Sequence, residues 1–179
     1  MEKLERLNRE LMYKGAIIDL YKDTIKTPDG NIEYYDFIKH QGAAAVIPIR
    51  DDGKILMVKQ YRNALDRFTI EIPAGGLASP NEPTKDAAAR ELEEETGYHS
   101  DDLELLLTIR TTIAFCNEKI DVYVATNLVK TEQHLDEGEY VDVLEFELEE
   151  LVKMVFDGTI EDSKTINAIL ALDKVYNKK

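Results

Sequence analysis

Three glutamates in the segment 76–98 have the spacing of a site for a divalent cation. On a helix with 3.6 residues per turn, Glu91, Glu94 and Glu95 fall within an arc of about 100°. Carboxylate oxygens are ligands that Mg²⁺ prefers, and a bound ion polarises a phosphoryl oxygen and lowers the pKa of a bound water. The spacing therefore indicates a metal site suited to chemistry at phosphate oxygens.

An inert helix gains nothing from this arrangement. Like charges three or four residues apart each cost about 0.2–0.5 kcal/mol, and a carboxylate near a helix C-terminus opposes the macrodipole by about 0.3–1 kcal/mol. Arg90 is the main local counterion. The alternative is an acidic helix face that meets only solvent. The spacing argues against it, because seven fixed positions match by chance at roughly 10⁻⁸ to 10⁻⁷ per window when each residue type has a usage of roughly 7%.

The helix that carries these glutamates is predicted to run from Pro83 or Thr84 to about Thr96. Proline suits the first turn of a helix, and Gly97 suits the position just past the last turn. Leu92 and Thr96 fall on a separate side from the three carboxylates. We therefore expect that side to face the core.

The rest of the chain supplies the elements that must hold this helix. Strands are predicted at 43–49, 55–61, 103–112, 120–127 and 141–146, and further helices at 147–156 and 163–177. Residues 1–40 are predicted to form an arm with a β-hairpin of strands 16–26 and 32–39. Because strands alternate with helices, the pattern predicts an α/β fold, an α/β/α sandwich with a mixed sheet at 41–179, preceded by the N-terminal β-hairpin arm.

The composition of the chain excludes several classes of binding partner. The chain of 179 residues has a net charge of −14, so it repels nucleic acid and anionic lipid, and a phosphate substrate needs a local cation. No apolar run approaches the length of about 18 residues that spans a membrane, and residues 1–6 lack the apolar region of a signal peptide. The single cysteine, Cys116, excludes an internal disulfide. We expect a cytoplasmic protein with no nucleic acid or membrane partner.

The segment 76–98 resembles the Nudix box, in which a glycine, five residues, a glutamate and seven residues precede Arg-Glu-apolar-any-Glu-Glu-any-Gly-apolar. Every fixed position is present between Gly76 and Gly97, and Tyr98 stands where an aliphatic residue is commonest. The resemblance implies an enzyme that cuts a diphosphate bond with Mg²⁺, or alternatively Mn²⁺, as its cofactor. It also implies a metal ligand from a backbone carbonyl just before the box, from Gly75 or Ala74, and the double glycine leaves the register open.

The resemblance assigns roles within the box. It implies that Glu91, Glu94 and Glu95 are the metal ligands. It implies that Arg90 orients this cluster through salt bridges, and that Arg90 and Glu94 belong to the catalytic residues.

The stretches that flank the box narrow the choice of substrate. The stretches 60–62 (Gln-Tyr-Arg) and 71–75 (Glu-Ile-Pro-Ala-Gly) are similar to the ADP-ribose pyrophosphatase branch of the family, as are the arm and the stretch 156–165. The Ser-Pro-Gly turn that this branch often carries is replaced by Thr-Ile-Ala at 112–114. The resemblance implies hydrolysis of ADP-ribose to AMP and ribose 5-phosphate. The same chemistry on another nucleoside diphosphate sugar or a dinucleotide stays open.

Four residues are predicted to contact the substrate. Arg62 has the planar guanidinium that binds phosphate through two hydrogen bonds, and the alternative is an exposed arginine at a strand end. Glu71 belongs to one of the stretches that resemble the branch. Tyr35 and Phe37 of the arm are candidates to stack on a base, or serve only in strand or dimer packing. Arms of this kind in the resembled branch pack on a second subunit, so we expect a homodimer.

A general base is expected outside the box. Attack on a diphosphate needs an activated water, and a carboxylate on a mobile loop approaches only when substrate is bound. The loop 135–140 is acidic and contains a glycine, and the resembled enzymes place a catalytic glutamate there. We favour Glu137 over Glu139, which adjoins a strand. The alternative is a solvated acidic turn.

Two other function classes fit the same fold. A non-catalytic Nudix ligand sensor is one, and both the intact Arg-Glu-x-x-Glu-Glu and the absence of an appended DNA-binding domain argue against it. Cleansing of oxidised nucleoside triphosphates is the other, and the long N-terminal arm argues against that.

Overall fold

The computed structural model describes residues 2–176 as two units. Residues up to 42 together with Arg110–Lys119 form one unit, and residues 43–109 together with those from 120 onward form the other. The predicted division after residue 40 assigned the segment 110–119 to the second unit. That segment joins the arm through backbone hydrogen bonds, such as the one from the N–H of Ile38 to the carbonyl of Phe115 at 2.7 Å.

The arm is a three-stranded antiparallel sheet. Its strands are β1 (Glu5–Lys14), β2 (Asp19–Lys26) and β3 (Ile32–Lys39), in that order. β2 and β3 form the predicted hairpin. The sequence did not predict β1, because its apolar residues do not alternate with polar ones. β1 is instead held by its antiparallel pairing with β2. Arg9 adds two hydrogen bonds of 2.6 Å to the carboxylate of Asp23.

The second unit holds the remaining strands and the helices. The strands are β4 (Ala43–Pro48), β5 (Ile55–Arg62), β6 (Arg67–Glu71), β7 (Ala74–Gly76), β8 (Tyr98–His99), β9 (Asp102–Arg110), β10 (Lys119–Thr126), β11 (Val129–Lys130) and β12 (Val141–Phe146). The helices are α1 (Thr84–Thr96), α2 (Leu148–Phe156) and α3 (Ser163–Tyr176). The short strands β6, β7, β8 and β11 were not predicted, and residue 177, the predicted end of α3, lies outside the described residues.

The sheets of this unit are of two kinds. One has the order β7-β4-β10-β9, in which β4 pairs with β10 in parallel and with β7 in antiparallel, so it is mixed as predicted. The other has the order β12-β5-β6 and is antiparallel. β8 and β11 form a short antiparallel pair.

Helices cover β4 on both of its faces, and every residue of this strand is buried. Val46 belongs to the apolar cluster that contains Leu92 of α1. Its neighbour Ile47 belongs to the cluster that contains Leu151 of α2 and Ile169 of α3. Since successive strand residues point to opposite faces, the sheet lies between helices, which confirms the predicted α/β/α sandwich. Among residues 2–176, none of the helices has both the length and the hydropathy of a membrane span.

Candidate active site

The C-terminal end of α1 is shaped by a glycine. Gly97 has a φ of +69°, and its N–H donates to the carbonyl of Glu93 at 2.9 Å. Residues with a Cβ rarely adopt this left-handed conformation. A Cβ here would also lie 3.0 Å from the backbone nitrogen of Gln133. Gly97 therefore both ends the helix and admits a loop that passes close to it.

Arg90 joins the carboxylates of α1 to the segment before the helix. Its Nη1 donates to Glu91 at 2.6 Å and to Glu94 at 2.9 Å. Its Nε donates to Glu82 at 3.3 Å, and its Nη2 donates to the carbonyl of Gly76 at 3.1 Å. Burial lowers the pKa of Arg90, but the surrounding carboxylates outweigh burial and raise it above its ordinary value. The guanidinium is thus fixed between the helix and the glycine segment.

Glu91 and Glu95 are buried carboxylates, 9% and 4% exposed. Burial raises the pKa of Glu95 to about 8; a hydrogen bond from the N–H of Ala74 at 2.9 Å opposes the rise, and the charges of Glu91 and Glu139 add to it. Burial also raises the pKa of Glu91, against the opposing charge of Arg90. Glu91 pairs with Arg90, whereas Glu95 accepts a hydrogen bond from a backbone N–H, and a buried carboxylate is costly without a nearby cation. The two carboxylates suit a hard divalent cation.

Strand β7 brings its backbone against these two carboxylates. A Cβ on Gly75 would collide with the carboxylate of Glu91, so glycine lets that side chain lie directly on the main chain. Ala74 donates its N–H to Glu95. The two residues predicted to offer a carbonyl ligand therefore adjoin Glu91 and Glu95, and both stay candidates.

The three glutamates do not enclose an ion as they stand. Within the described part of the chain, no three His, Cys, Asp or Glu side chains are grouped so that they could hold a metal ion. Glu91 and Glu94 turn toward the same nitrogen of Arg90, and Glu95 turns toward the N–H of Ala74. The donor set still fits a hard cation, because its ligands are all oxygens and two of its carboxylates are buried. The assignment of these residues as metal ligands stays a prediction.

The loop 131–140 is fastened to the end of α1. The N–H of His134 donates to the carbonyl of Glu94 at 3.0 Å, and the side chain of Gln133 donates to the carbonyl of Glu95 at 2.6 Å. Helix ends leave such carbonyls without partners inside the helix. The loop that carries both predicted bases is therefore anchored to the residues that carry the carboxylates.

The two loop glutamates differ in their surroundings. Glu139 accepts a hydrogen bond from the N–H of Asp136 at 3.2 Å and donates its own N–H to the carbonyl of Asp136 at 3.0 Å. Beyond the larger effect of burial, its charge raises the pKa of both Glu91 and Glu95. Glu137, which the sequence favoured, and Glu139 are both exposed. Exposure does not separate the two, so the identity of the base stays a prediction, and the effect of Glu139 on the buried pair favours Glu139.

Arg62 is held in an ion-pair network at the end of β5. Its Nε and Nη2 donate to the two oxygens of Glu71 at 2.7 and 2.6 Å. Lys164 donates to the same carboxylate at 2.5 Å and Thr69 at 2.7 Å. Burial raises the pKa of Glu71, which is 3% exposed, but these donors outweigh burial and hold the pKa at about 2. These four donors match the roughly four lone-pair sites of a carboxylate, so Glu71 holds Arg62 here, and its contact with the substrate stays a prediction.

Tyr35 and Phe37 lie on the same face of β3, because they are two residues apart. The guanidinium of Arg9 lies over the ring of Phe37, 3.6 Å from its centroid. Tyr35 is 46% exposed. Of the two, Tyr35 keeps an open ring and stays the predicted base contact.

Two residues of this neighbourhood were not predicted from the sequence. Gln133 lies 38 residues from Glu95, and Lys164 lies 93 residues from Glu71. No local pattern connects such pairs. The one signal for Lys164 was its place in the stretch 156–165, which resembles the ADP-ribose pyrophosphatase branch.

Known proteins are similar to this sequence over nearly its whole length. The chain is 40% identical to the ADP-ribose pyrophosphatase of Bacillus subtilis (strain 168), over 94% of this chain and 93% of that protein. It is 39% identical to the methanol dehydrogenase activator of Bacillus methanolicus, over 91% and 89%. It is 34% identical to the ADP-ribose pyrophosphatase of Mycobacterium tuberculosis (strain ATCC 25618 / H37Rv), over 96% and 84%.

The fold is also that of a solved structure. The crystal structure of an ADP compounds hydrolase superposes with a TM-score of 0.88, covering 99% of this chain and 96% of that chain at 20% identity. At that identity the likeness establishes the fold alone. The model of the NUDIX domain matches residues 39–168, which include the complete box and both flanking stretches. The chain therefore belongs to the Nudix family.

Proposed function

We propose that this protein hydrolyses the diphosphate bond of ADP-ribose, giving AMP and ribose 5-phosphate. One observation carries the proposal: the buried carboxylates of Glu91 and Glu95 lie at the end of a helix to which the loop that carries Glu137 and Glu139 is anchored by hydrogen bonds. The substrate is supported by the two relatives that are ADP-ribose pyrophosphatases, at 40% and 34% identity.

The proposed cofactor is Mg²⁺ or Mn²⁺, since members of this family generally use a divalent metal ion. Glu91, Glu94 and Glu95 are the proposed ligands, together with the carbonyl of Gly75 or Ala74. When bound, such an ion polarises a phosphoryl oxygen and lowers the pKa of a bound water. Arg90 holds two of these carboxylates together, because it hydrogen-bonds both of them.

Glu139 is the proposed general base. It takes one proton from the attacking water as the water oxygen bonds to a phosphorus atom of the diphosphate. The bond from that phosphorus to the bridging oxygen breaks, and the bridging oxygen leaves as part of the other phosphate. Arg62 is the proposed contact for the diphosphate, through the edge of its guanidinium that Glu71 does not occupy.

The test is a substrate panel with Mg²⁺ that contains ADP-ribose, another nucleoside diphosphate sugar, a dinucleotide and an oxidised nucleoside triphosphate. We expect AMP and ribose 5-phosphate in equal amounts from ADP-ribose, as measured by chromatography. EDTA should abolish the reaction, and added Mg²⁺ or Mn²⁺ should restore it. Faster hydrolysis of another compound would reassign the substrate, and tight binding of ADP-ribose without products would indicate a ligand sensor.

We also propose that the arm, residues 1–40, joins two chains in a homodimer. Large apolar side chains of its sheet are exposed to solvent, namely Leu7, Leu11, Met12, Tyr13, Ile32 and Tyr34. Such a patch on a sheet is typical of an interaction surface. A single cysteine and a net charge of −14 suit the cytoplasm, which is the proposed location.

A further inference from the structure

We propose that Lys164, at the start of α3, is a positioning residue that shares the charge of Glu71 and so leaves Arg62 able to bind the substrate diphosphate. The proposal rests on the proposed function and extends it to a helix outside the Nudix box. It gives a role to a partly buried cation that the reaction itself does not use.

Glu71 stands between two cations. One of its oxygens accepts hydrogen bonds from both Arg62 and Lys164, at 2.6 and 2.5 Å. The side chain of Lys164 is 11% exposed, whereas that of Arg62 is 41% exposed. Glu71 therefore pairs with both cations, and Arg62 is the cation that reaches solvent.

The start of α3 holds Lys164 in place. Asp162 accepts a hydrogen bond from the Nζ of Lys164 at 3.0 Å, and two more from the N–H and hydroxyl of Thr165 at 3.0 and 2.6 Å. The hydroxyl of Thr165 in turn accepts the N–H of Ile72 at 3.0 Å. These bonds tie the helix to the segment that follows β6. The ammonium group is therefore a fixed charge rather than a mobile surface lysine.

One edge of the Arg62 guanidinium is free to bind a ligand. Its Nε and Nη2 face Glu71, and no residue of the described chain hydrogen-bonds its Nη1. A cavity of about 390 Å³, lined by Arg62 and Lys164 among others, opens beside the group and has room for a phosphate. Glu71 fixes which edge of the guanidinium stays free, and arginine binds phosphate best through such a planar edge.

Removing Lys164 changes the charge around Arg62 without touching Arg62 itself. With both cations present, Arg62 and Lys164 balance the charges of Glu71 and Asp162. With Lys164 gone, Glu71 and Asp162 outnumber Arg62, and the attraction of this group for a diphosphate falls because its net charge becomes negative. Binding should therefore suffer more than the chemical step.

The first experiment compares steady-state kinetics on ADP-ribose with Mg²⁺. Lys164→Met should raise KM about tenfold, the size of one charge-assisted hydrogen bond, with kcat changed by less than about twofold. Lys164→Arg keeps the charge and should return KM to within about threefold of the wild type. The matched control is Lys153→Met, at an exposed lysine of α2, which should change neither constant. Should Lys164→Met fail to fold, Lys164→Gln removes the same charge and takes its place.

The second experiment asks whether Lys164 acts through Arg62. In an Arg62→Ala background, Lys164→Met should raise KM by less than about twofold, because no guanidinium remains through which Lys164 can act. An equal tenfold rise in that background would overturn the proposal, since Lys164 would then act independently of Arg62. So would a fall in kcat at unchanged KM, or a KM that Lys164→Met leaves as it is.

A failure of the proposed function has a different signature. If the wild type forms no product from ADP-ribose, calorimetric titration with α,β-methylene-ADP measures diphosphate binding directly. The Kd of Lys164→Met should then be about tenfold higher than that of the wild type, with the same loss of effect in the Arg62→Ala background. An unchanged Kd would overturn the positioning role whatever the natural substrate is.

Discussion

Replacing Glu95 with glutamine is expected to stabilise the metal-free protein while it abolishes activity. Glu95 is 4% exposed, and burial raises its pKa from 4.5 to about 8. Because this folded-state pKa lies above the unfolded value, the folded protein holds the proton more tightly than the unfolded chain does. The free energy of unfolding therefore falls as the pH rises from about 4.5 to about 8, and stays at its lower value above that.

The size of the effect follows from the two pKa values. Each pH unit between them is worth about 1.36 kcal/mol, so at pH 8 the ionisable side chain lowers the free energy of unfolding by about 4 kcal/mol. At pH 5 the corresponding loss is under about 1 kcal/mol. Glutamine keeps an acceptor oxygen for the N–H of Ala74, which bonds Glu95 at 2.9 Å, and carries no charge to bury.

The assay is urea unfolding in EDTA at pH 5 and pH 8, with activity measured in Mg²⁺. Glu95→Gln should exceed the wild type by about 4 kcal/mol at pH 8 and by under about 1 kcal/mol at pH 5. Glu93→Gln is the control on the same helix, because Glu93 is 37% exposed, and it should change stability by less than about 1 kcal/mol. Equal stability of Glu95→Gln and wild type at pH 8, or a gain that does not depend on pH, would refute the reasoning, as would full activity of the variant.

Three further outcomes are expected. Glu139→Gln should lower kcat by roughly 10²–10⁴ with little change in KM, and Glu137→Gln should lower kcat much less. A near-normal kcat in both variants would show that the loop does not supply the base. Gly97→Ala should lower the free energy of unfolding by about 1–2 kcal/mol, because a Cβ is disfavoured at φ +69°. The control Gly76→Ala should not lower it, because no atom lies near the added Cβ. Equal urea midpoints for the two variants would contradict this. Light scattering should show a dimer that Tyr13→Arg dissociates, and a monomeric, active wild type would count against the arm as an interface.

The sequence by itself determined the parts of this protein that local geometry fixes. Carboxylates at i, i+3 and i+4 must share one side of a helix, so the grouping of Glu91, Glu94 and Glu95 followed from their spacing. A glycine just past the last turn marks the end of a helix for a conformational reason, and α1 does end at Thr96. Alternation of strands and helices was enough to predict the α/β/α sandwich.

Tertiary structure decided what depends on residues far apart in the chain. The burial that raises the pKa of Glu95 exists only once α1 packs on the sheet. The role of Glu71 became clear only when Lys164, 93 residues away, shared its carboxylate with Arg62. The choice of Glu139 over Glu137 likewise rests on electrostatics across the fold rather than on loop composition. Spacing along a helix is set by the backbone, whereas desolvation and ion pairing between distant segments arise only when folding excludes water and brings those segments together.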